Sequence, residues 1–289
     1  MDDVGIRSMS AGDIAGVQEV SHAALLEAGR AYGWEMSELD DAARQRGRRR
    51  LAHLLDHDPA GAFVADRAGE VVGVGLATRR GPLWFLSLLA VATGAQSQGI
   101  GRRLLEATMT TLGEAGALCA SSDPRALRRY WRAGFALAPA FEAKGELDRR
   151  TIPAIAGVRE GSFDSDREFV EHVATLQRGA PHGVDIDYYA GADRRLLVTD
   201  TVAGQGYVVC DDAGPAVLAA SGADAATRLL WSALAEATKP ADVLWLSHDQ
   251  RWAIDVVLEA RLSLSLVGCR CLKSPGGPMS PYLPNGSLG

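Results

Sequence analysis

A glycine loop stands between an apolar run and a helical pattern in the first half of the chain, at residues 96–102. The apolar run, residues 83–91, has the length and composition of a buried strand. Gly99 and Gly101 let the backbone approach an anion closely, and the following helix directs its free N–H groups toward that anion. This order predicts a pyrophosphate-binding site, although a glycine turn between strand and helix is more often only a turn.

The composition is that of an ordinary globular protein. The chain has 289 residues, of which 47% are hydrophobic and 23% charged, which favours two domains of about 145 residues each. A formal net charge of −6 argues against nucleic-acid binding, and the basic run at residues 44–50 is interpreted as a solvated helix end rather than a phosphate contact. No secretory signal or long apolar stretch is visible, so we expect a cytoplasmic protein without membrane contact.

The cysteines and histidines do not predict a metal site or a disulfide framework. Four cysteines are too few and too scattered for such a framework. Cys269 and Cys271 fit one face of a strand better than half of a metal site, because no second Cys/His pair lies nearby. Cys119 falls on a predicted strand and is interpreted as a small buried hydrophobe. We therefore expect no metal.

Hydrophobic periodicity and turn residues predict a mixed α/β order in the first half. The predicted elements before the loop helix are a strand at 5–7, helices at 10–26 and 37–55, and strands at 62–65, 71–78 and 83–91. After it come a strand at 117–120, a helix opened by Asp123 and Pro124, and a strand from Phe135. The antiparallel hairpins ahead of the loop exclude a simple doubly wound nucleotide fold.

Two spaced motifs in this region resemble those of the GCN5-related N-acetyltransferase (GNAT) family. Gln96, Gly99 and Gly101 match its Gln/Arg-x-x-Gly-x-Gly/Ala signature. Its second signature, Asn/Asp-x-x-Ala-x-x-x-Tyr-x-x-x-Gly-Phe, is matched by Asp123, Ala126, Tyr130, Gly134 and Phe135. The resemblance covers residues 5–145 and implies the GNAT fold, an α/β (α+β) architecture in which helices flank a mixed, mostly antiparallel sheet.

The resemblance also implies a reaction, the direct transfer of an acetyl group from acetyl-CoA to an amine. The Leu89 N–H would polarise the thioester carbonyl, and Tyr130 would protonate the departing thiolate unless it is simply a core residue. Arg102 and Arg103 either contact phosphate or form a solvated helix start. The implied donor-binding residues are Leu89, Val91, Gln96, Gln98, Gly99, Ile100, Gly101, Arg102, Arg103 and Asp123.

The general base is missing from its usual place. Many family members carry a glutamate on the strand before the loop, but residues 80–103 contain no Asp, Glu or His. An ammonium acceptor must lose its proton before attack, so the base must come from another element, ordered water or bulk solvent. The candidates are Glu35, Glu38, Asp40 and, more weakly, His22, each of which is more often a surface or capping residue.

The second half weakly repeats the first. Arg228-Leu229-Leu230 follows Arg103-Leu104-Leu105 about 125 residues later, and Asp249 follows Asp123 at nearly the same offset. Such agreement predicts two tandem copies, at residues 1–150 and 151–289.

The second copy has lost the residues of the donor site. At this offset Asp224 and Ala226 stand opposite Gly99 and Gly101, and a valine stands opposite Tyr130. A carboxylate repels a pyrophosphate. We therefore expect the second copy to bind no acyl-CoA and instead to shape the acceptor cleft or a homodimer interface.

The final residues, 281–289, are rich in proline and glycine and are interpreted as a loose tail. Its apolar Tyr282, Leu283 and Leu288 would also allow docking, from where the tail could reach the acceptor side.

The leading hypothesis is an N-acetyltransferase with one working site that acts on a small-molecule amine. The alternatives are a protein N-terminal or lysine acetyltransferase and a non-catalytic acyl-CoA-binding sensor.

Overall fold

The computed structural model describes residues 4–33, 39–192 and 194–289. Its first half alternates strands and helices in the predicted order. The elements are β1 (Gly5–Ser8), α1 (Ile14–Tyr32), α2 (Asp41–His57), β2 (Ala62–Arg67), β3 (Glu70–Arg80), β4 (Leu83–Val91), α3 (Ile100–Thr108), β5 (Ala115–Ser121), α4 (Pro124–Arg132) and β6 (Ala136–Gly145). The predicted mixed α/β fold with a mostly antiparallel sheet is confirmed.

The second half contains the same succession of elements. They are β7 (Val158–Glu160), α5 (Arg167–Arg178), α6 (Asp185–Ala190), β8 (Arg195–Thr201), β9 (Gly204–Asp211), β10 (Gly214–Ala220), α7 (Ala223–Glu236), β11 (Ala241–Leu246), α8 (Arg251–Glu259), β12 (Ser263–Lys273) and β13 (Tyr282–Leu283). From β8 to β12 the order of strands and helices matches that from β2 to β6. No sequence pattern identified above predicts β7, α5, α6 or β13.

Two sheets hold these strands, and the halves share one of them. The larger sheet has the order β1-β2-β3-β4-β5-β12-β6-β11, and the smaller has the order β13-β10-β9-β8-β7. β12 of the second half lies between β5 and β6 of the first, antiparallel to both, and β11 pairs with β6. β12 of the second half thus pairs with β5 of the first, and β6 of the first pairs with β11 of the second. The larger sheet is therefore complete only in the whole chain.

The larger sheet splits between β4 and β5. The two strands pair in parallel from Leu83 opposite Ala115 to Leu86 opposite Leu118, and no further. Ser87 is a bulge residue in the pairing of β4 with β3, and such a bulge bends a strand and increases its twist. Beyond Leu86 the two strands therefore diverge, and we call the gap between residues 87–91 and 119–121 the split.

The largest group of buried apolar side chains draws on both halves. It joins Val17 and Leu76 of the first half to Val173 and Tyr207 of the second, all essentially inaccessible to solvent. Burial of this kind stabilises the contact between the halves much as a domain core does. No helix in the described part of the chain combines the length and apolarity that a membrane span requires.

The C-terminal segment, residues 281–289, is docked, so its interpretation as a loose tail was wrong. Tyr282 and Leu283 form β13 against β10, and Leu288 is 1% exposed. The Asn285 side-chain oxygen accepts hydrogen bonds from the amides of Ser287 and Leu288, which closes a compact turn. Burial of three apolar side chains outweighs the turn-forming composition of the segment, because each buried side chain contributes about 1.5–3 kcal/mol.

Candidate functional site

The glycine loop forms a tight turn at the start of α3. Gly99 precedes the helix with φ +78°, a left-handed conformation that strongly favours glycine. Ile100 is buried and anchors the first turn of α3 under the loop. The amides of a first helical turn have no intrahelical acceptor, so they are available to an anion.

Gly101 leaves room for a guanidinium group. A Cβ at Gly101 would lie 3.1 Å from Nη1 of Arg129, so the Arg129 side chain extends over the loop from α4. No ion pair joins Arg129 to a carboxylate within the described residues. Arg129 was not among the predicted site residues. It directly precedes Tyr130 of the second motif, and a helical projection of α4 would place it beside the loop.

Gln96 and Gln98 hold the loop in place. The Gln96 Nε2 donates to the Val91 carbonyl at 3.1 Å, and its Oε1 accepts from Arg125 at 2.7 Å. Gln96 thereby ties the loop to the end of β4 and to the start of α4. The Gln98 Oε1 accepts from Arg67 of β2 at 3.1 Å.

The guanidinium groups of Arg102 and Arg103 have protein partners. Arg103 Nη1 donates to the Val4 carbonyl at 2.8 Å, and Arg102 is exposed and lies 3.7 Å from Glu106 one turn later. A direct contact of either side chain with phosphate stays a prediction. Leu89 and Val91 lie on the diverging part of β4, where no described strand pairs with them on the β5 side.

Tyr130 lies on α4 and faces the split. It is 6% exposed and packs with Leu118 and Phe135, yet it also lines the cavity described below. Burial raises the pKa of its phenol above the ordinary tyrosine value. The hydroxyl therefore keeps its proton at neutral pH, which suits a proton donor and not a base.

Asp123 caps the same helix and connects it to α1. Its carboxylate accepts from the Arg125 amide at 2.8 Å and from the Tyr32 hydroxyl at 3.1 Å. Burial acts to raise the pKa of Asp123, but hydrogen bonds from Arg125 outweigh burial and lower it below the ordinary value. Asp123 is therefore charged at neutral pH and positions the start of α4.

A large cavity of about 1030 Å³ runs through the split. Its walls include residues 87–91 of β4 and 119–121 of β5, the last turns of α1, and the glycine loop. The second half contributes Trp245 and Tyr188, and the docked tail contributes residues 283–288. The sequence did not predict which residues of the second half and of the tail would line this cavity, because their proximity to it depends on tertiary contacts.

The candidate bases do not converge on this cavity in the described part of the chain. Asp40 caps α2 by accepting from the Ala43 amide at 2.6 Å, and His22 is buried on α1 without lining the cavity. Glu35 and Glu38 lie outside the described residues. The carboxylates that do line the cavity are Glu27, Asp123, Glu142, Asp211 and Asp242.

The thiol of Cys119 lines the cavity at the edge of β5. Burial raises its pKa to about 12, so it is protonated at neutral pH and is a poor nucleophile. Cys269 and Cys271 lie on β12 with free thiols. Among residues 4–33, 39–192 and 194–289, no three His, Cys, Asp or Glu side chains group as a metal site would require.

Comparisons with known proteins agree with this architecture. Residues 26–135 match the model of the acetyltransferase (GNAT) family. No curated protein sequence matches the chain. A solved structure from Pyrococcus horikoshii, to which acetyltransferase activity is ascribed, is 18% identical and superposes with a TM-score of 0.75 over 99% of this chain and 95% of its own.

Two further structures share the fold over most of the chain. A GCN5-related N-acetyltransferase from Kribbella flavida is 15% identical, with a TM-score of 0.58 over 93% of this chain and 71% of its own. One from Sphaerobacter thermophilus is also 15% identical, with a TM-score of 0.56 over 95% of this chain and 96% of its own. At these identities the likeness shows a common fold. The family match therefore identifies residues 26–135 as a segment similar to the acetyltransferases of the GNAT family, and the superpositions extend the shared fold to nearly the whole chain.

Proposed function

We propose that this chain transfers an acetyl group from acetyl-CoA to the amine of a small-molecule acceptor, and that only its first half binds the donor. One observation carries the proposal. The glycine loop, the open edge of β4 and Tyr130 all line one continuous cavity at the split of the sheet.

The residues of this site fit the donor. The amides of the first α3 turn and the Arg129 guanidinium would bind the pyrophosphate, and the absence of a Cβ at Gly101 gives that guanidinium its place. No strand among the described residues pairs with residues 87–91 on the β5 side, so their backbone groups can hydrogen-bond an extended arm. Acetyl-CoA, when bound, supplies the activated acyl group as a thioester.

Two residues of the chain would then act on the reacting atoms. The Leu89 N–H would stabilise the negative charge that develops on the carbonyl oxygen during attack by the amine. Tyr130 would give its proton to the departing thiolate, for which its buried, protonated phenol is suited.

The shape of the cavity favours a small acceptor. Both halves and the docked tail line it, and its volume of about 1030 Å³ would be shared between donor and acceptor. Small-molecule sites typically measure about 300–1,000 Å³. A protein substrate would need an open groove for its main chain, whereas Trp245 and the tail residues occupy part of the cavity wall.

The second half has the features of a degenerate copy. Its strand β10 corresponds in order to β4, but β13 covers its edge, with Leu283 opposite Leu218 and Tyr282 opposite Ala219. The Ala220 amide also donates to the Pro281 carbonyl at 3.1 Å. Because the strand edge is occupied and Asp224 lies in the first turn of α7, we expect this half to bind no second donor.

Titration of the whole chain with acetyl-CoA tests both parts of the proposal. The whole chain is required because β12 completes the sheet of the first half. Calorimetry should give one acetyl-CoA per chain, and a panel of small amines should release free thiol. Two binding sites would refute the division between the halves. Binding without thiol release from any amine would refute transfer and favour a sensor, and faster release with peptides would favour a protein acceptor.

A further inference from the structure

Among the cations that line the cavity, Arg50 is the one outside α4 that has no carboxylate partner in the described ranges. The cationic side chains that line the cavity are Arg50, Arg125, Arg128, Arg129, Lys144 and Arg194. Arg125, Lys144 and Arg194 each hold a carboxylate at 2.8–2.9 Å. Arg128 and Arg129 belong to α4, beside the loop where the donor phosphates would bind. Arg50 remains, on α2, an element separate from both α4 and the glycine loop.

Arg50 has a defined and partly buried position. Its helix is anchored by Leu51 and Leu54, which are 2–3% exposed in the core, so its backbone is fixed. One turn further, the ring of His53 lies 5.0 Å from that of Tyr188, and Tyr188 lines the cavity together with Arg50. No carboxylate or carbonyl in the described ranges accepts a hydrogen bond from the Arg50 guanidinium.

Such a position is costly unless a ligand compensates it. Burial lowers the pKa of Arg50 below the ordinary arginine value, and the opposing effect of Tyr188 is smaller; no carboxylate within residues 39–192 or 194–289 forms an ion pair with it. Arginine nevertheless stays charged at neutral pH. A charged group held in a small-molecule cavity without a protein partner is best explained by a partner on the ligand.

We infer that Arg50 binds a carboxylate on the acceptor, so that the acceptor is an amine that also carries a carboxylate, as an amino acid does. A guanidinium presents two parallel N–H groups that match the two oxygens of a carboxylate. A single cation balances a monoanion, whereas a phosphate dianion would call for further cations beside Arg50. This inference rests on the proposed acetyl transfer and names the class of its acceptor.

Matched pairs of amines test the inference in the full-length protein. We would compare thiol release with L-leucine and L-phenylalanine against isoamylamine and phenethylamine, which lack only the carboxylate, and against L-leucinamide. The carboxylated member of each pair should show a kcat/KM about 30-fold higher, as expected for a charge-assisted hydrogen-bonded pair. Arg50→Met should abolish that preference and leave the KM for acetyl-CoA unchanged.

Two variants control for indirect effects. Arg50→Lys keeps the charge but not the two parallel N–H groups of the guanidinium, and it should retain part of the preference for carboxylated amines. Arg46→Met makes the same change on an exposed position one turn earlier in α2 and should retain all of it.

Several outcomes would overturn the inference. The first is an equal loss of kcat/KM for both members of each pair in Arg50→Met. The second is an equal kcat/KM for both members in the native chain. The third is a higher kcat/KM for phosphoethanolamine than for both ethanolamine and the amino acids. The proposed function is tested separately, because acetyl-CoA binding and thiol release with any amine in the panel decide it. If thiol is released but the carboxylate makes no difference, only the acceptor class is wrong.

Discussion

The Ser87 hydroxyl donates a hydrogen bond of 2.5 Å to the main-chain carbonyl of Ser287, across 200 positions of sequence. Ser87 is the bulge residue at which β4 leaves β5, and Ser287 belongs to the docked tail. The contact fixes the tail beside the split. The tail is thus part of the wall that an acceptor would meet.

Removing this contact should weaken acceptor binding selectively. In Ser87→Ala the tail loses its hydrogen bond at the split, and we expect the acceptor KM to rise about tenfold, equivalent to a hydrogen bond of about 1.4 kcal/mol. The acetyl-CoA KM should hardly change. Ser287→Ala is the matched control, because it keeps the main-chain carbonyl that accepts the hydrogen bond. The acceptor KM of this variant should be nearly that of the native chain. Equal effects of the two substitutions in steady-state kinetics would contradict this assignment.

Gly101→Ala should weaken donor binding. The new Cβ would lie 3.1 Å from the Arg129 guanidinium and would displace it from the loop. We expect the acetyl-CoA Kd, measured by calorimetry, to rise about tenfold or more, because a loss of 1.4 kcal/mol corresponds to a factor of ten. Gly94→Ala is the control, since a Cβ there meets no atom within 4 Å. An unchanged acetyl-CoA Kd in Gly101→Ala would show that the position of the Arg129 guanidinium over the loop does not matter for donor binding.

Tyr130→Phe should lower turnover and spare binding. The substitution removes only the hydroxyl that would protonate the thiolate, so kcat should fall by about tenfold or more with a nearly constant acetyl-CoA Kd. Tyr189→Phe makes the same change at a buried tyrosine that does not line the described part of the cavity and should leave kcat unaltered. If kcat is the same in Tyr130→Phe as in the native chain, the residue has no role in proton transfer.

Cys119 should be dispensable and unreactive despite its place in the cavity. Burial raises its pKa to about 12, so at pH 8 almost none of it is thiolate, the reactive form. Alkylation by iodoacetamide, followed by mass spectrometry, should be slower than for a free cysteine peptide and should accelerate with rising pH. Cys119→Ala should retain most of the activity. Rapid labelling at pH 8 or a large loss of kcat would show that the thiol participates.

Asp13 should make folding sensitive to acid. Its carboxylate accepts two bonds of 2.8 Å from Arg7 and one of 2.8 Å from the Ser10 amide, and the bond to Arg7 is the main reason that its pKa lies well below the ordinary value. A group with a depressed folded-state pKa stabilises the fold above its unfolded-state pKa, near 3.8, and loses that contribution as the pH falls further.

Asp13→Asn should therefore lower the free energy of unfolding by about 1 kcal/mol at pH 7, since Arg7 is half-exposed and solvent weakens the pair. The difference from the native chain should shrink between pH 4 and pH 2, as followed by urea denaturation. Asp56→Asn, at an exposed carboxylate, should show no such dependence. A constant difference across this pH range would contradict the assignment to the Asp13 charge.

Sequence patterns were sufficient for the local parts of this molecule. Periodicity placed every strand and helix of the first half, because the side chains that face a core recur with the period of the element itself. The motif positions Gln96, Gly99 and Tyr130 also came from sequence, and the structure brings them to one cavity. The tail was misassigned because its contacts with distant residues override its composition, whereas α5 was overlooked although Val170, Val173 and Ala174 recur with helical spacing.

The sequence by itself determined the glycine turn, because Gly99 and Gly101 are required wherever the backbone adopts a left-handed turn or a side chain crosses closely, whatever lies around them. Only the tertiary structure decided what else meets that loop. The exchange of β6 and β12, the docking of Tyr282 and Leu288, and the position of Arg50 all depend on the pairing of elements far apart in the chain. Such contacts are selected by the burial of surfaces that form only when both halves are folded together.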